Sequence, residues 1–215
     1  MENIINNYTT IKNSIKDLNK PTSCQIVVVT KTFPIEKIKP LINQGHTHFG
    51  ENKVQEAVDK WSVIKDHNKE IKLHMIGKLQ TNKVRLAVKL FDFIHSVDSF
   101  KLAKKISNEQ LKVSKKPKIF IQINIGNESQ KSGVNKKEVN NLYKECINLG
   151  LNVVGLMCLP PINSDAKKYF EQVKNINDEL KLNSLSLGMS GDYLQALEVK
   201  SDFIRVGSKI FGERN

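Results

Sequence analysis

The chain has 215 residues, with 34 Lys+Arg against 22 Asp+Glu and a net charge of +12. That length suits one domain or two small ones with a real core, and 39% hydrophobic with 26% charged residues excludes disorder and collagen. No apolar run approaches the ~18 residues of a membrane span, and residues 1–5 lack the layout of a signal peptide. Three scattered cysteines, Cys24, Cys146 and Cys158, form neither a disulfide framework nor a zinc pattern, which points to a reducing, cytoplasmic compartment.

So basic a chain invites a nucleic-acid reading, but its 34 basic residues are 31 Lys and only 3 Arg. Arg is the preferred reader of phosphates and base edges. The most basic stretch, 101–118, has seven Lys, one Glu and no aromatic, so stacking platforms for single strands are missing. The expectation is a solvated lysine surface and no nucleic-acid partner. Where Lys serves most positions needing a point charge, Arg85, Arg205 and Arg214 mark places where the planar fork matters.

In chain order, residues 2–19 read as an amphipathic helix through Ile4, Ile5, Tyr8, Ile11, Ile15 and Leu18, stopped by Pro21. Eight β-like runs follow, at 25–30, 46–50, 72–76, 91–97, 118–125, 152–159, 184–187 and 203–206. Helical stretches separate them at 35–43, 53–65, 82–89, 99–112, 136–148, 165–180 and 192–200. Thr81, Ser99, Asn163-Ser164 and Ser190 stand where helices start, and Gly45 and Gly150 where helices end. Nearly continuous apolar strands alternating with helices indicate a parallel sheet covered on both faces. The expected fold is α/β: a single (β/α)8 TIM barrel with an extra N-terminal helix, one domain over 1–215. A doubly wound open sheet is the rival; it would normally carry a glycine-rich turn after the first strand, where this chain has Thr30-Lys31-Thr32-Phe33-Pro34.

In a barrel, chemistry gathers at the carboxyl ends of the strands, and phosphate sites favour the loops after strands seven and eight. Those two loops hold Gly188-Met189-Ser190-Gly191 and Arg205-Val206-Gly207-Ser208. Glycine beside serine lets backbone N–H groups and hydroxyls converge on one anion, although turn glycines and ordinary caps look the same. Lys31 follows the first strand directly; a desolvated lysine there would be a free amine able to form a Schiff base, while a snorkelling lysine remains the plain alternative. Amine plus phosphate cradle suggests a phosphorylated aldehyde, either pyridoxal phosphate or a sugar phosphate. Arg205 beside the cradle would suit a pyridine nitrogen, or the phosphate itself.

Across nearly its whole length the sequence resembles the pyridoxal phosphate homeostasis protein family, also called the proline synthase co-transcribed homologue family. The stretches that carry this are VVVTK (27–31), HFGENKVQE (48–56), HMIGKLQTNK (74–83), HSVDS (95–99), INIGNESQKSG (123–133), VGLMCLP (154–160), LSLGMSGDYLQAL (185–197) and IRVGSKIFGER (204–214). The resemblance implies an alanine-racemase-type barrel with pyridoxal 5'-phosphate on Lys31 as a lysine Schiff base. It also implies Ser190, Gly207 and Ser208 on the phosphate, with Met189 in the same loop, Arg205 facing the pyridine nitrogen, and Asn52 and His74 lining the cofactor. Lys78 and Gly191 depart from the family's usual residues, Gly191 at a position often acidic.

Racemisation needs a second base opposite the lysine, which racemases of this type take from a partner's tyrosine. Tyr8, Tyr143 and Tyr169 fall on helices and Tyr193 reads as packing, and the barrel is expected to use the whole chain. The expectation is therefore a monomeric carrier acting in vitamin B6 homeostasis, delivering the cofactor to pyridoxal-dependent apoenzymes and having no catalytic residue. The alternative is a racemase or lyase of low activity. Lys131 reads as an exposed loop lysine, with a second reactive amine or a lid residue as the sharper alternative. Trp61, His46 and His48 read as structural, and no metal-ligand spacing appears.

Overall fold

A computed structural model describes residues 2–16 and 23–212; Leu18, Pro21 and Arg214 lie outside them. The barrel strands are β1 (Gln25–Val29), β2 (His48–Glu51), β3 (Lys72–Met75), β4 (Phe93–Val97), β5 (Lys118–Asn124), β7 (Asn152–Cys158), β8 (Ser184–Met189) and β9 (Phe203–Val206). A two-residue strand, β6 (Val134–Asn135), pairs with the end of β5. All neighbours are parallel in the order β4-β3-β2-β1-β9-β8-β7-β5, and β4 pairs with β5 to close the ring. The fold is the expected TIM barrel, and the open-sheet rival is excluded.

Helices α2 (Ile35–Asn43), α3 (Val54–His67), α4 (Val84–Leu90), α5 (Phe100–Val113), α6 (Val139–Asn148), α7 (Ala166–Glu179), α8 (Tyr193–Glu198) and α9 (Ser208–Phe211) follow the strands. The extra helix α1 (Glu2–Lys16) packs on α2 and α9. It is held by Asn7 Nδ2 donating to Ile210 O at 3.1 Å and by Tyr8 Oη at 3.0 Å from His46 Nδ1.

Why the strands were visible in sequence follows from their burial. Side chains alternate across a strand, and here both faces are covered. Ile26, Val28, Phe49, Leu73, Ile94, Ile204 and Val206 point outward under the helices. Val27, Phe93, Phe120, Met157 and Phe203 fill the inside. Each such buried side chain contributes about 1.5–3 kcal/mol by removal from water.

Helix starts differ in part from the sequence reading. Ser99 does cap α5, accepting from Leu102 N at 3.4 Å. The cap of α7 is Asp165 instead of Asn163-Ser164, because Ser164 Oγ turns back to donate to Pro161 O at 2.7 Å. Ser190 does not cap α8. Asp192 occupies that position and spends its carboxylate on Met189 N at 2.6 Å.

Candidate functional site

A cavity of about 640 Å³ opens at the carboxyl ends of β1, β8 and β9, and its wall includes Lys31, Asn52, Met189, Ser190, Arg205, Gly207 and Ser208. Small-ligand sites commonly occupy roughly 300–1,000 Å³. Val29, Ile76 and Leu159 make its apolar walls. The structure thus brings together seven of the eight residues singled out in sequence. His74 is the exception: it lies fully buried inside the barrel and does not line the cavity.

Lys31 is held from both sides. Before it, Thr30 is fully buried; its hydroxyl donates to Glu51 Oε1 at 2.7 Å and its carbonyl accepts from Lys60 Nζ at 2.8 Å. The same Glu51 oxygen accepts from Lys60 Nζ at 2.8 Å and Trp61 Nε1 at 2.9 Å. After it, Thr32 adopts φ 68°, a left-handed conformation that a β-branched residue rarely takes, and its N–H donates to Glu56 Oε1. Phe33 then stacks on Phe211 of α9. Strain of this kind, about 1–3 kcal/mol, persists only where the surroundings over-determine it. Sequence reasoning missed Glu51, Lys60 and Trp61 as a unit, although Glu51 and Trp61 stood ten residues apart around a strand end.

Across the cavity, Gly188 turns the chain at φ +85°, and any Cβ there would lie 2.6 Å from Ala196 Cβ. This turn projects Met189-Ser190-Gly191 over the mouth. Ser190 Oγ lies 3.4 Å from Gly207 N and 3.5 Å from Lys209 N, the outer limit of hydrogen bonding, so both N–H groups keep most of their capacity. A Cβ on Gly207 would meet Val29 Cβ and O at 3.2 Å, so glycine lets this strand end approach β1. Two backbone donors and the Ser190 and Ser208 hydroxyls are chemistry suited to a phosphate.

Arg205 forms part of the cavity floor and is 4% exposed. Its Nη1 donates to Ser186 O and Ser186 Oγ, both at 2.6 Å, and its Nη2 to Cys158 O at 3.0 Å. No carboxylate among the described residues lies within ion-pair distance of it. Burial pulls its pKa down to about 10, so it stays a cation at neutral pH. A buried cation is costly unless paired or well hydrogen-bonded, and this one faces a cavity. Burial also pushes the adjacent Cys158 thiol up to about 12, leaving it inert.

Lys131 is neither exposed nor part of this wall. Its Nζ donates to Pro160 O at 2.9 Å and pairs with Glu128 Oε2 at 2.6 Å. Tyr193 is buried and its hydroxyl lies 3.2 Å from Ser14 Oγ of α1, in agreement with a packing role.

The chain was compared with known proteins. The family model "Alanine racemase, N-terminal domain" matches residues 1–215. The pyridoxal phosphate homeostasis protein of Vibrio alginolyticus is 36% identical over 91% of this chain and 88% of its own length. That of Pasteurella multocida is 34% identical over 100% and 97%. This chain belongs to the pyridoxal phosphate homeostasis protein family. Among solved structures, PipY of Synechococcus elongatus with PLP bound superposes with a TM-score of 0.86 at 31% identity, covering 97% of this chain and 100% of PipY. An alanine racemase of Clostridium difficile matches at TM-score 0.74 and 16% identity, with 57% of its length covered, a likeness of fold alone. Among the described residues of this family member, no helix is long and apolar enough to cross a membrane.

Proposed function

We propose that this chain binds pyridoxal 5'-phosphate in the cavity at Lys31 and acts in intracellular vitamin B6 homeostasis as a holder and donor of the cofactor. The observation that carries the reading is the composition of the cavity wall. It holds one amine (Lys31), one buried guanidinium (Arg205), and hydroxyls with backbone N–H groups at Ser190, Gly207 and Ser208. Each suits one end of a phosphorylated pyridine aldehyde, and the family's names and the PLP-bound PipY support the assignment. When bound, the cofactor supplies an aldehyde that condenses with a primary amine and loses one water.

The chain's own residues then divide the work. Lys31 Nζ takes the covalent link, on a backbone fixed by Glu51 and Glu56. Ser190, Gly207 and Ser208 hold the phosphate. Arg205, itself a donor only, faces the ring nitrogen and keeps a proton off it. Asn52 and Met189 line the remaining wall. His74 is left out of the binding set, since its ring lies below the cavity inside the barrel.

The holder reading, with a racemase or lyase of low activity as its alternative, is supported by the relatives' name, pyridoxal phosphate homeostasis protein. Among the described residues, the titratable side chains of the cavity wall are Lys31 and Arg205, so the second base that moving a proton between two faces requires would have to come from elsewhere, such as a partner. On this reading the whole chain is one binding domain, a cytoplasmic monomer whose partners are the cofactor and the apoenzymes that receive it.

The test is the absorbance of protein mixed with pyridoxal phosphate, followed by borohydride reduction and peptide mapping. A yellow species whose reduced cofactor maps to Lys31, and which Lys31→Ala abolishes, is expected. Label on another lysine, or none, sinks the assignment. Rapid turnover of alanine, serine or threonine by the loaded protein would overturn the carrier role.

A further inference from the structure

A continuous chain of side chains runs through the barrel interior below the cavity. His48 Nδ1 lies 2.9 Å from His74 Nε2, His74 Nδ1 lies 2.8 Å from His95 Nε2, and His95 Nδ1 lies 2.9 Å from Ser186 Oγ. Ser186 Oγ in turn accepts from Arg205 Nη1 at 2.6 Å. Four strands contribute one link each: β2, β3, β4 and β8. Aromatic rings fix the imidazoles in place. His74 stacks on Phe93 with centroids 4.2 Å apart and planes 4° from parallel, and His95 stacks on Phe120 at 4.4 Å.

The chemistry of the two ends gives this chain a direction. Arg205 has donors and no acceptor, so Ser186 Oγ receives from it. The Ser186 hydroxyl owns one proton, and the other partner of its oxygen is His95 Nδ1. Donation to that nitrogen leaves His95 with its proton on Nε2, pointing at His74 Nδ1. His74 then carries its proton on Nε2, pointing at His48 Nδ1. In the opposite direction, Ser186 Oγ would sit between two incoming N–H groups, with its own proton left to seek an acceptor. Burial supports the neutral state, since it pulls His74 and His95 well below the ordinary imidazole value.

We infer that Ser186, His95, His74 and His48 form a hydrogen-bond relay of fixed direction. It makes Ser186 a positioning residue that presents an acceptor to Arg205 and holds the guanidinium beneath the cavity. Each link donates away from Arg205. A proton entering at His48 would have to reverse every link and end by setting Ser186 against the guanidinium. The relay therefore keeps Arg205 in place as a donor at the cavity floor. Its role toward the cofactor rests on the pyridoxal phosphate reading above; its direction does not.

The experiment is nitrogen NMR of the free protein labelled on histidine and arginine. Five His and three Arg give few signals, and exposed His67 serves as an internal reference. At pH 7, His48, His74 and His95 are expected neutral, with protonated Nε2 and unprotonated Nδ1, and with N–H···N couplings between neighbouring rings. A charged ring, or Nδ1–H on His74 or His95, overturns the direction, and this measurement needs no variant. Ser186→Ala is then expected to free the rotation of the Arg205 guanidinium and to weaken pyridoxal phosphate binding roughly tenfold, while Ser186→Thr keeps both near wild type. An Arg205 signal indifferent to Ser186→Ala overturns the positioning role. Wild-type protein that takes up no pyridoxal phosphate defeats the functional reading, with the His and Arg spectra of the free protein still deciding the relay.

Discussion

The ring of Phe33 lies on that of Phe211, centroids 4.5 Å apart and planes 26° from parallel. One ring belongs to the loop just after Lys31 and the other to the helix that begins at Ser208, so the stack ties the Lys31 side of the cavity to the Ser208 side. Phe33→Ala should cost about 3 kcal/mol of stability, as for other large buried rings cut to alanine, and should weaken cofactor binding as well. Urea denaturation and a pyridoxal phosphate titration measure the two effects. Lost stability with unchanged binding would show that the stack does not set the cavity.

Glu51 is fully buried and gives one oxygen to Thr30, Lys60 and Trp61. Glu51→Ala leaves Lys60 with Glu56 at 3.0 Å as its remaining carboxylate but strips the buried Thr30 and Trp61 donors of their acceptor, and should destabilise by about 3 kcal/mol. Glu51→Gln, which keeps an acceptor oxygen, should cost less. Chemical denaturation of both variants checks the order, and equal losses would refute the role of the shared acceptor oxygen.

Thr32 carries its left-handed backbone while its side chain is exposed. Thr32→Gly removes the strain but frees the unfolded chain. The two effects oppose, so the expected outcome is stability within about 1 kcal/mol of wild type, in contrast to a glycine placed in a strand. A loss of several kcal/mol in thermal or urea unfolding would mean that the Thr32 side chain has a structural role of its own.

Four histidines are held neutral by burial: His46, pulled down to about 4, His48, His74 and His95. Above pH 6.5 the folded and unfolded chains both leave these rings uncharged, and stability is flat with pH on their account. Below pH 6.5 the unfolded chain takes up protons that the folded chain refuses, so stability falls with pH. For His46 that loss runs from 6.5 to about 4. The slope is roughly 1.4 kcal/mol per pH unit for each ring that stays neutral. Urea midpoints at pH 7, 6 and 5 should fall in that order; a flat series would contradict neutral burial.

All eight barrel strands were legible because both of their faces are buried, which writes an apolar run into the sequence. The cavity residues were legible because strand ends are where a barrel keeps its chemistry. His74 lies outside the cavity wall for a related reason: it sits lower along β3, so its ring lies in the barrel interior beneath the cavity, and Ile76, on the same face two residues on, reaches the cavity instead. Pairing of Glu51 with Lys60 and Trp61 depends on how α3 lies against β2, which no local pattern encodes. The α7 start went to Asp165 because Ser164 found a nearer acceptor in Pro161, a contest between neighbours that residue type alone does not decide.

The strand that begins the barrel is hydrogen-bonded to the strand that ends it, and Asn7 reaches Ile210 across 203 positions of sequence. On a ribosome, α1 and β1 are made long before their partners. Contacts so distant along the chain form late and slow the search for the native state. Lys31 is thus made well before Ser190, Gly207 and Ser208, the residues proposed to hold the phosphate. On the proposed reading, the chain emerges with the amine that takes the cofactor before the groups that would select what that amine captures.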